Sequence, residues 1–279
     1  MIDIQNLSFG YRKNKLLYKN LNVSLEAGSI YGLLGKNGAG KSTLLKNIIG
    51  LLFPSRGKIF VNGFEPRKRQ PQFLQGVYFI PEEVFVPSLT IRGYLNLYSP
   101  FYPKFNADQC AEYLKVLEVE SVERLTALSF GQQKKFIIAF GLACNTDILL
   151  LDEPTNGLDI PSKIQFRKLI SSILTEERMI FISTHQIRDL DSLIDKVIII
   201  DNGELLLNSS VWEVGDKLLF TTLKEAPEDP GELLYAEDSV RGISVVVENT
   251  AKEESRVNLE HLFNAVTNNP KRTKEIFNS

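Results

Sequence analysis

A glycine-rich loop between an apolar segment and a helix-forming segment constrains this chain more than any other feature. Residues 35–42 read GKNGAGKS and fit the pattern G-x-x-x-x-G-K-[ST]. Residues 29–34 in front have the composition of a short buried strand, and residues 43–49 behind have a helical pattern that Gly50 ends. This order points successive backbone N–H groups at one place, where phosphate oxygens are held. The loop therefore predicts an α/β fold that binds a nucleoside triphosphate.

Each residue type in this loop has a physical reason. Glycine lets the backbone approach a phosphate closely and adopt positive φ. Lys41 is expected to reach the β- and γ-phosphates, and the Ser42 hydroxyl to bind Mg²⁺. An ordinary glycine-rich turn is the alternative, but such a match arises by chance in only about one chain of this length in a hundred. The predicted nucleotide-binding residues of the loop are Gly35, Asn37, Gly38, Ala39, Gly40, Lys41, Ser42 and Thr43.

Composition narrows the setting and the partners. The 279 residues suit one large or two smaller units, and a hydrophobic content of 43% supplies a core. A net charge of −2 gives no electrostatic reason to expect nucleic acid as a partner. The two cysteines, Cys110 and Cys144, argue against a disulfide framework. No signal peptide is recognised, and the longest apolar runs, such as residues 197–200, are too short to span a membrane. The sequence predicts a soluble, cytoplasmic polypeptide.

Alternating apolar and polar residues predict an antiparallel layer near the N-terminus. Residues 2–9 and 21–25 alternate or nearly alternate, and residues 58–61 join them before an Asn-Gly turn signal. Tyr11 lies between the first two of these segments. A tyrosine just ahead of a nucleotide site can stack on a base, and packing on the protein surface is an equal alternative.

Two acidic residues and a histidine follow buried strands further along the chain. Residues 148–151 form a continuous apolar run, typical of a parallel strand covered on both faces, and Asp152 and Glu153 follow it. Open α/β sheets bind ligands at that end of their strands. His185 ends a second apolar segment, residues 179–184. The acidic pair alone is as often structural as functional, but behind a phosphate-binding loop it becomes a candidate metal and catalytic pair. A lone histidine at the end of a strand is usually structural, but His185 ends a strand of the same predicted sheet.

A helical insertion interrupts the strands. Residues 76–80 form a strand that ends at Pro81, and residues from about 88 to 130 have a helical and locally aromatic character. The aromatic side chains either form a docking surface for a partner protein or fill the small core of the insertion itself. These aromatic residues are Tyr94, Tyr98, Phe101, Tyr102 and Phe105.

The character of the chain changes near residue 211. Just before it, residues 197–201 and 205–207 predict a hairpin around Asn202-Gly203. Beyond it, strands are predicted at residues 217–223, 232–236 and 243–247, with a polar stretch at 225–231. Helical spacing then defines an apolar face of Leu259, Leu262, Phe263 and Val266. The prediction is a main domain at residues 1–211 and a small C-terminal α+β extension at residues 212–279.

Taken together and in this order, the motifs resemble those of the ATPase subunits of ABC transporters. The resemblance covers about residues 1–211 and implies a P-loop NTPase fold with a mainly parallel sheet core, an antiparallel β-subdomain and a helical insertion. Residues 35–43 match the Walker A motif, residues 128–132 (LSFGQ) resemble the LSGGQ signature, and residues 148–153 the Walker B motif. Residues 156–159 look like the D-loop, and His185 like the switch histidine.

The resemblance also implies roles for single residues. Asp152 helps to hold Mg²⁺, Glu153 orients and polarises the attacking water, and His185 contacts the γ-phosphate, with Lys41 as the third catalytic residue. Tyr11 stands where the family keeps an aromatic that stacks on adenine. ATP is held in a head-to-tail dimer, with a copy of this chain or with a related subunit. Across that dimer the nucleotide meets Ser129, Gly131, Gln132 and Asp159.

The sequence departs from the family pattern at two positions. The glutamine that the family keeps before the insertion is Glu82 here. Its carboxylate is expected to bind Mg²⁺, a cation that prefers oxygen ligands, although it also brings negative charge towards the γ-phosphate. The Pro81-Glu82 pair and the C-terminal extension are similar to those of bacterial drug and antibiotic exporter ATPases. Phe130 replaces the first signature glycine and must find room at the dimer face.

The function that the resemblance implies is that of an ATP-binding and ATP-hydrolysing subunit, with Mg²⁺, on the inner face of the cell membrane. It would power a transporter, expected to be an exporter, whose permease is a separately encoded chain. A soluble ABC-type ATPase with an assembly or regulatory role is the alternative, and a small-molecule kinase is a third. Co-purification with a membrane protein separates the first two readings, and a phosphorylated product favours the third.

Overall fold

The computed structural model describes residues 1–12, 15–120, 123–224, 233–240 and 242–278, and its strands form three sheets. The strands are β1 (Ile2–Phe9), β2 (Tyr18–Leu25), β3 (Ser29–Leu34), β4 (Arg56–Val61), β5 (Val77–Ile80), β6 (Ile148–Asp152), β7 (Met179–Thr184), β8 (Lys196–Asp201), β9 (Glu204–Ser210), β10 (Leu218–Leu223), β11 (Leu233–Ser239) and β12 (Gly242–Glu248). The helices are α1 (Lys41–Ile48), α2 (Pro71–Gln75), α3 (Ile91–Tyr98), α4 (Ala107–Val116), α5 (Phe130–Ala143), α6 (Ile160–Ser172), α7 (Val211–Lys217), α8 (Leu259–Asn268) and α9 (Pro270–Asn278).

The largest sheet has the strand order β5-β6-β7-β3-β8-β9. Strands β5, β6, β7, β3 and β8 run parallel, and β9 returns antiparallel to β8 as the predicted hairpin. Every residue of β3, β6 and β7 is buried, as in parallel strands covered on both faces. Because these strands share one direction, the loops that follow them meet at one edge of the sheet. The predicted mainly parallel core is confirmed, and its carboxyl edge carries the glycine loop, the acidic pair and His185.

The antiparallel subdomain is a three-stranded sheet with the order β2-β1-β4. Ile4 of β1 pairs with Val23 on one side and with Ile59 on the other. The inner face of this sheet and the apolar side of α1 belong to one buried cluster that includes Ile4 and Leu45. The subdomain therefore covers the helix that follows the glycine loop, and the predicted antiparallel layer is confirmed.

The helical insertion is held together by aromatic contacts. The ring of Tyr94 on α3 lies 5.0 Å from that of Phe136 and 5.2 Å from that of Phe140, both on α5. Thr90 caps α3 by accepting a hydrogen bond from a backbone N–H in its first turn, and Asn106 caps α4 in the same way. This packing holds α3 against the middle and C-terminal half of α5, the helix that begins at the signature segment.

The described residues of the C-terminal extension form a third sheet with the order β10-β12-β11, together with α7, α8 and α9. Strands are observed at the predicted places, although residue 232, the start of the second predicted strand, lies outside the described residues. Strand β11 extends to Ser239 because its pairing with β12 continues to the turn. The predicted polar stretch 225–231 lies outside the described residues. Leu262 of α8 is buried in the same hydrophobic cluster as the central sheet. Within the part of the chain that the structure describes, every helix is too short or too polar to cross a bilayer.

Candidate functional site

The loop between β3 and α1 follows a path that only glycine permits at two positions. Gly40 has a φ of 109°, and a Cβ there would meet Tyr18, whose hydroxyl donates a hydrogen bond to the Gly40 carbonyl. Burial raises the pKa of Tyr18, so this hydroxyl remains a neutral donor. At Gly35, a Cβ would lie 2.6 Å from the carbonyl oxygen of Ile200. The loop is thereby fixed, with the N-terminus of α1 directed at the centre of the site.

Lys41 is buried at the first position of α1. Its Nζ donates a hydrogen bond to the carbonyl oxygen of Gly35 at 2.9 Å and lies 3.6 Å from Oε1 of Glu153. A buried ammonium needs such partners because it has lost its water. The lysine therefore places a positive charge inside the loop, beside the carboxylate that follows β6.

Asp152, the last residue of β6, lies against the glycine loop. Its Oδ1 accepts hydrogen bonds from the hydroxyl of Ser42 at 3.0 Å and from the hydroxyl of Ser183 on β7. Hydroxyl and carboxylate oxygens are the hard ligands that Mg²⁺ prefers, so the donor set of Ser42 and Asp152 fits this ion. Among the described residues, no three His, Cys, Asp or Glu side chains form a metal-binding group, so substrate or water oxygens would have to complete the coordination.

The carboxylate of Glu153 is surrounded by positive and donating groups. Oε1 lies 2.8 Å from Nδ1 of His185, and Oε2 accepts a hydrogen bond from the His185 backbone N–H at 3.3 Å. With Lys41 on the other side, the carboxylate is almost completely buried. This arrangement brings the three predicted catalytic residues together and fixes the direction of a group that can accept a proton.

A cavity of about 530 Å³ opens beside these groups, within the usual range for small-molecule sites. The predicted residues of the loop line the cavity, with the exception of Gly35 and Ala39. Its lining consists of Tyr11, Leu17, Asn37, Gly38, Gly40, Lys41, Ser42, Thr43, Glu82, Glu153 and His185.

Tyr11 and Glu82 occupy two walls of this cavity. Tyr11 is 67% exposed, its ring contacts Phe9 edge to face, and its hydroxyl forms a hydrogen bond with that of Thr43 at 2.9 Å. Its remaining surface is open to a base, and stacking stays a prediction. Oε1 of Glu82 accepts a hydrogen bond from the Asn156 amide at 2.9 Å. The carboxylate is thereby tied to the predicted D-loop.

The signature and D-loop residues do not line this cavity in the described part of the chain. Ser129 caps α5 by accepting a hydrogen bond from the Gln132 N–H, and the Gln132 side chain contacts the backbone of Glu118 and Glu120. Asp159 likewise caps α6. Gly131 is the fourth predicted residue. A Cβ added at this position would lie only 2.9 Å from the carbonyl oxygen of Gly157, so a larger residue does not fit. Their predicted nucleotide contacts need a second subunit and stay predictions.

Lys134, which was not among the predicted site residues, is completely buried in α5. Its Nζ donates hydrogen bonds to the backbone carbonyls of Glu153 and Glu82. Burial lowers its pKa to about 8, against the opposing effect of nearby carboxylates. One signal was present in the sequence: Lys134 precedes Ile137, Ile138 and Gly141 at helical spacing, which places it on an apolar face.

Comparisons with known proteins agree on one family. The ABC transporter family model (ABC_tran) matches residues 18–156. The chain is 31% identical to the ABC transporter ATP-binding protein NatA of Bacillus subtilis (strain 168), with 88% of this chain and 100% of that protein covered. It is 35% identical to the bacitracin transport ATP-binding protein BcrA of Bacillus licheniformis, with 67% of this chain and 62% of that protein covered.

A solved structure shares the fold. The ATP-binding cassette MJ0796, in a dimeric post-hydrolysis state bound to ADP and Pi, superposes with a TM-score of 0.67 at 24% identity, covering 75% of this chain and 98% of that one. The glycine loop, the acidic pair and the family matches point to ATP as the ligand of the cavity. The chain therefore belongs to the ABC transporter family, as one of its ATP-binding and ATP-hydrolysing subunits.

Proposed function

We propose that this chain powers an exporter whose permease is a separate protein. One observation carries the catalytic part of the proposal: the buried carboxylate of Glu153 lies between Lys41 and His185 in a cavity lined by the glycine loop. The direction of transport is supported by the Pro81-Glu82 pair, which is similar to that of bacterial drug and antibiotic exporter ATPases.

The proposed reaction is attack of water on the γ-phosphate of ATP. The water oxygen forms a bond to phosphorus, the bond from phosphorus to the bridging oxygen breaks, and the water proton passes to Glu153, leaving ADP and phosphate. Lys41 neutralises charge on the phosphates, and His185 holds the carboxylate and contacts the γ-phosphate. Phosphoryl transfer depends mainly on positioning and charge neutralisation, which these side chains supply.

Mg²⁺ would be held by Ser42 and Asp152, with Glu82, which also lines the cavity, as a further proposed ligand. When bound, the ion would neutralise charge on the phosphate oxygens. The hydroxyl and carboxylate oxygens suit it, and the amide contact of Asn156 keeps Glu82 at the wall. Glu82 is thus proposed as a replacement for the glutamine of the family pattern.

A second ATPase subunit would complete each site. The N-terminus of α5 carries Ser129, Gly131 and Gln132 on the surface, and helix N-termini favour phosphate. In a head-to-tail pair, this end of α5 and Asp159 of one subunit would face the cavity of the other. Tyr11 would stack on the adenine of its own subunit. Because one chain carries both halves of a site, a second copy is sufficient as the partner.

The permease is proposed to dock in a groove between the insertion and the central sheet. A groove of about 560 Å³ is lined by apolar residues that include Phe101, Tyr102 and Phe79. Of the five aromatic residues of the insertion, Tyr94 is buried and three are partly buried against the core, whereas Phe101 is 63% exposed. Exposed aromatics bury a large area with few rotamers to fix. Docking there would hold the subunit at the inner face of the membrane.

The catalytic part is tested with Glu153→Gln. Glutamine keeps the shape of the side chain but does not accept the proton, so ATP turnover should be lost while ATP binding remains. Phosphate release and nucleotide titration on the same preparations measure the two properties. Turnover equal to that of the wild type would remove Glu153 from the mechanism. Export in membranes containing the co-purified permease tests the transport part.

A further inference from the structure

Lys134 connects the helix of the signature segment with two walls of the nucleotide cavity. Its Nζ donates hydrogen bonds to the carbonyl oxygen of Glu153 at 2.7 Å and to that of Glu82 at 3.1 Å. The side chain has no exposed surface, so these carbonyls replace the water that an ammonium would otherwise bind. One ammonium thereby fixes the distance between the end of β6 and the segment after β5.

The backbone of Glu153 has a conformation that needs such support. Its φ is +46°, in the left-handed region that residues with a side chain rarely adopt. Outliers of this kind persist where the surroundings hold them, and they occur often at functional sites. The Glu153 N–H donates to the Ser183 carbonyl at 3.1 Å, and the Glu153 carbonyl accepts from Lys134 Nζ at 2.7 Å and from the Asn156 N–H at 3.2 Å. Both neighbouring peptide groups are thus fixed.

These contacts hold the backbone from which the Glu153 side chain leaves. The φ and ψ of a residue set the direction of its Cα–Cβ bond, and from this start the side-chain rotamer brings Oε1 to 2.8 Å from His185 Nδ1. If the carbonyl of Glu153 lost the Lys134 donor, only the longer hydrogen bond from the Asn156 N–H would hold it, and the peptide could rotate towards a common conformation. The carboxylate would then leave its place beside His185 and Lys41.

We propose that Lys134 is a positioning residue for ATP hydrolysis, which holds the backbone of Glu153 so that its carboxylate faces the cavity. The inference rests on the proposed function, in which Glu153 accepts the proton of the attacking water. It also connects that carboxylate to the signature segment, because Lys134 lies about one helical turn from Phe130 on α5. If α5 moved when a partner bound, Lys134 would move with it and would displace the backbone of Glu153 through their hydrogen bond.

The test compares three variants by kcat, KM for ATP, nucleotide affinity and melting temperature. Lys134→Met removes both hydrogen bonds and keeps most of the side-chain volume, and Lys134→Arg keeps a charged donor. Lys104→Met is the matched control, since it removes an exposed lysine that pairs with Asp147. We expect Lys134→Met to lower kcat by about tenfold or more, because small misplacements of a catalytic group have large effects. Lys134→Arg should recover part of the loss, and Lys104→Met should retain wild-type kcat.

A purely structural lysine would give a different result. The proposal is overturned if Lys134→Met keeps kcat within about twofold of the wild type, or if kcat and nucleotide affinity fall by the same factor. If Lys134→Met does not fold, Lys134→Gln takes its place with the same criteria. Failure of the proposed function has a separate signature, which is full turnover in Glu153→Gln or a wild type without ATPase activity.

Discussion

The nucleotide cavity and the signature end of α5 differ in where their polar groups find partners. In the cavity, Lys41 and Glu153 are 6% and 4% exposed and contact one another within the chain. At the signature end, Phe130 is 49% exposed, and the hydrogen bond of Ser129 only caps its own helix. The first region is organised before any ligand arrives, whereas the second presents an open helix N-terminus to solvent.

This difference shows how a site can be divided between two molecules. Buried charges require partners inside the chain, so the catalytic half must be complete in a single subunit. A helix N-terminus can remain solvated until an anion approaches it. The half that binds through such a terminus can be contributed by a neighbour. Substitutions on the two sides should therefore alter different properties: nucleotide binding on one side and association on the other.

The largest effect is expected from Lys41→Ala. Removing an ammonium that pairs with phosphate should weaken ATP binding by about a hundredfold, corresponding to about 3 kcal/mol for a charged hydrogen bond. Calorimetric titration of the isolated subunit measures this loss. Lys36→Ala, which removes an exposed lysine of the same loop, is the control and should retain wild-type affinity. Equal ATP affinity in Lys41→Ala and the wild type would contradict the pairing of the Lys41 ammonium with phosphate in the cavity.

Phe130→Gly tests the signature end of α5, the half of the site through which a second subunit is expected to associate. The ring of Phe130 lies over Gly157, close enough that a Cβ on Gly157 would be 3.2 Å from it. The ring therefore packs against the predicted D-loop, and its exposed face can contact a partner. We expect the ATP-dependent dimer to weaken by about tenfold without a change in ATP affinity of the monomer. Phe130→Tyr should retain association. A tighter dimer or faster hydrolysis in Phe130→Gly would mean that the ring obstructs the interface.

A smaller effect is expected for Phe101→Ser in the docking groove. Loss of this exposed ring should weaken permease association by about fivefold and leave ATP binding intact. Trp212→Ser is the matched control, because Trp212 is also an exposed aromatic but lies in the extension, outside the groove. Co-purification from detergent extract measures the association. Normal assembly of Phe101→Ser would exclude this groove as the docking surface.

The smallest effect concerns the packing of the helical insertion against α5, where Tyr102 contacts Phe140. Burial raises the pKa of Tyr102 to about 12 from an ordinary value of 10.0, with Cys144 acting in the same direction. Between these two pH values the unfolded state loses a proton that the folded state keeps, so stability falls as pH rises. Tyr102→Phe should show a shallower fall in urea midpoint across this window. Equal slopes in the two proteins would contradict the burial of this phenol.

The sequence was sufficient to predict the catalytic half. Its strands are continuous apolar runs, and parallel strands bring the residues that follow them to one edge, so the glycine loop, Asp152 and Glu153 had to meet. Tertiary contacts set the features that were missed. Lys134 is buried because carbonyls far away in sequence accept its hydrogen bonds, and Tyr94 is buried because α5 covers it. The residues that contact Lys134 and Tyr94 lie far from them in the sequence, so a pattern of neighbouring residues does not reveal these contacts.

The association half was predictable only in part. The LSFGQ segment marked the start of a helix, and Ser129 is its cap as expected from residue type. The capping role of Asp159 follows from its place before Pro161, yet the family resemblance alone assigned it to the nucleotide. Whether these residues reach a nucleotide depends on a second molecule, which no pattern within one chain describes.

One chain is proposed to carry both a complete catalytic half and a complementary signature half of the site. Light scattering of Glu153→Gln, with and without ATP and Mg²⁺, tests this proposal most directly, since the variant should bind ATP without consuming it. We expect a mass equal to one chain of 31.5 kDa without nucleotide, or with ADP, and twice that mass with ATP. A variant that binds ATP fully in titration and remains a single chain at every protein concentration would contradict it.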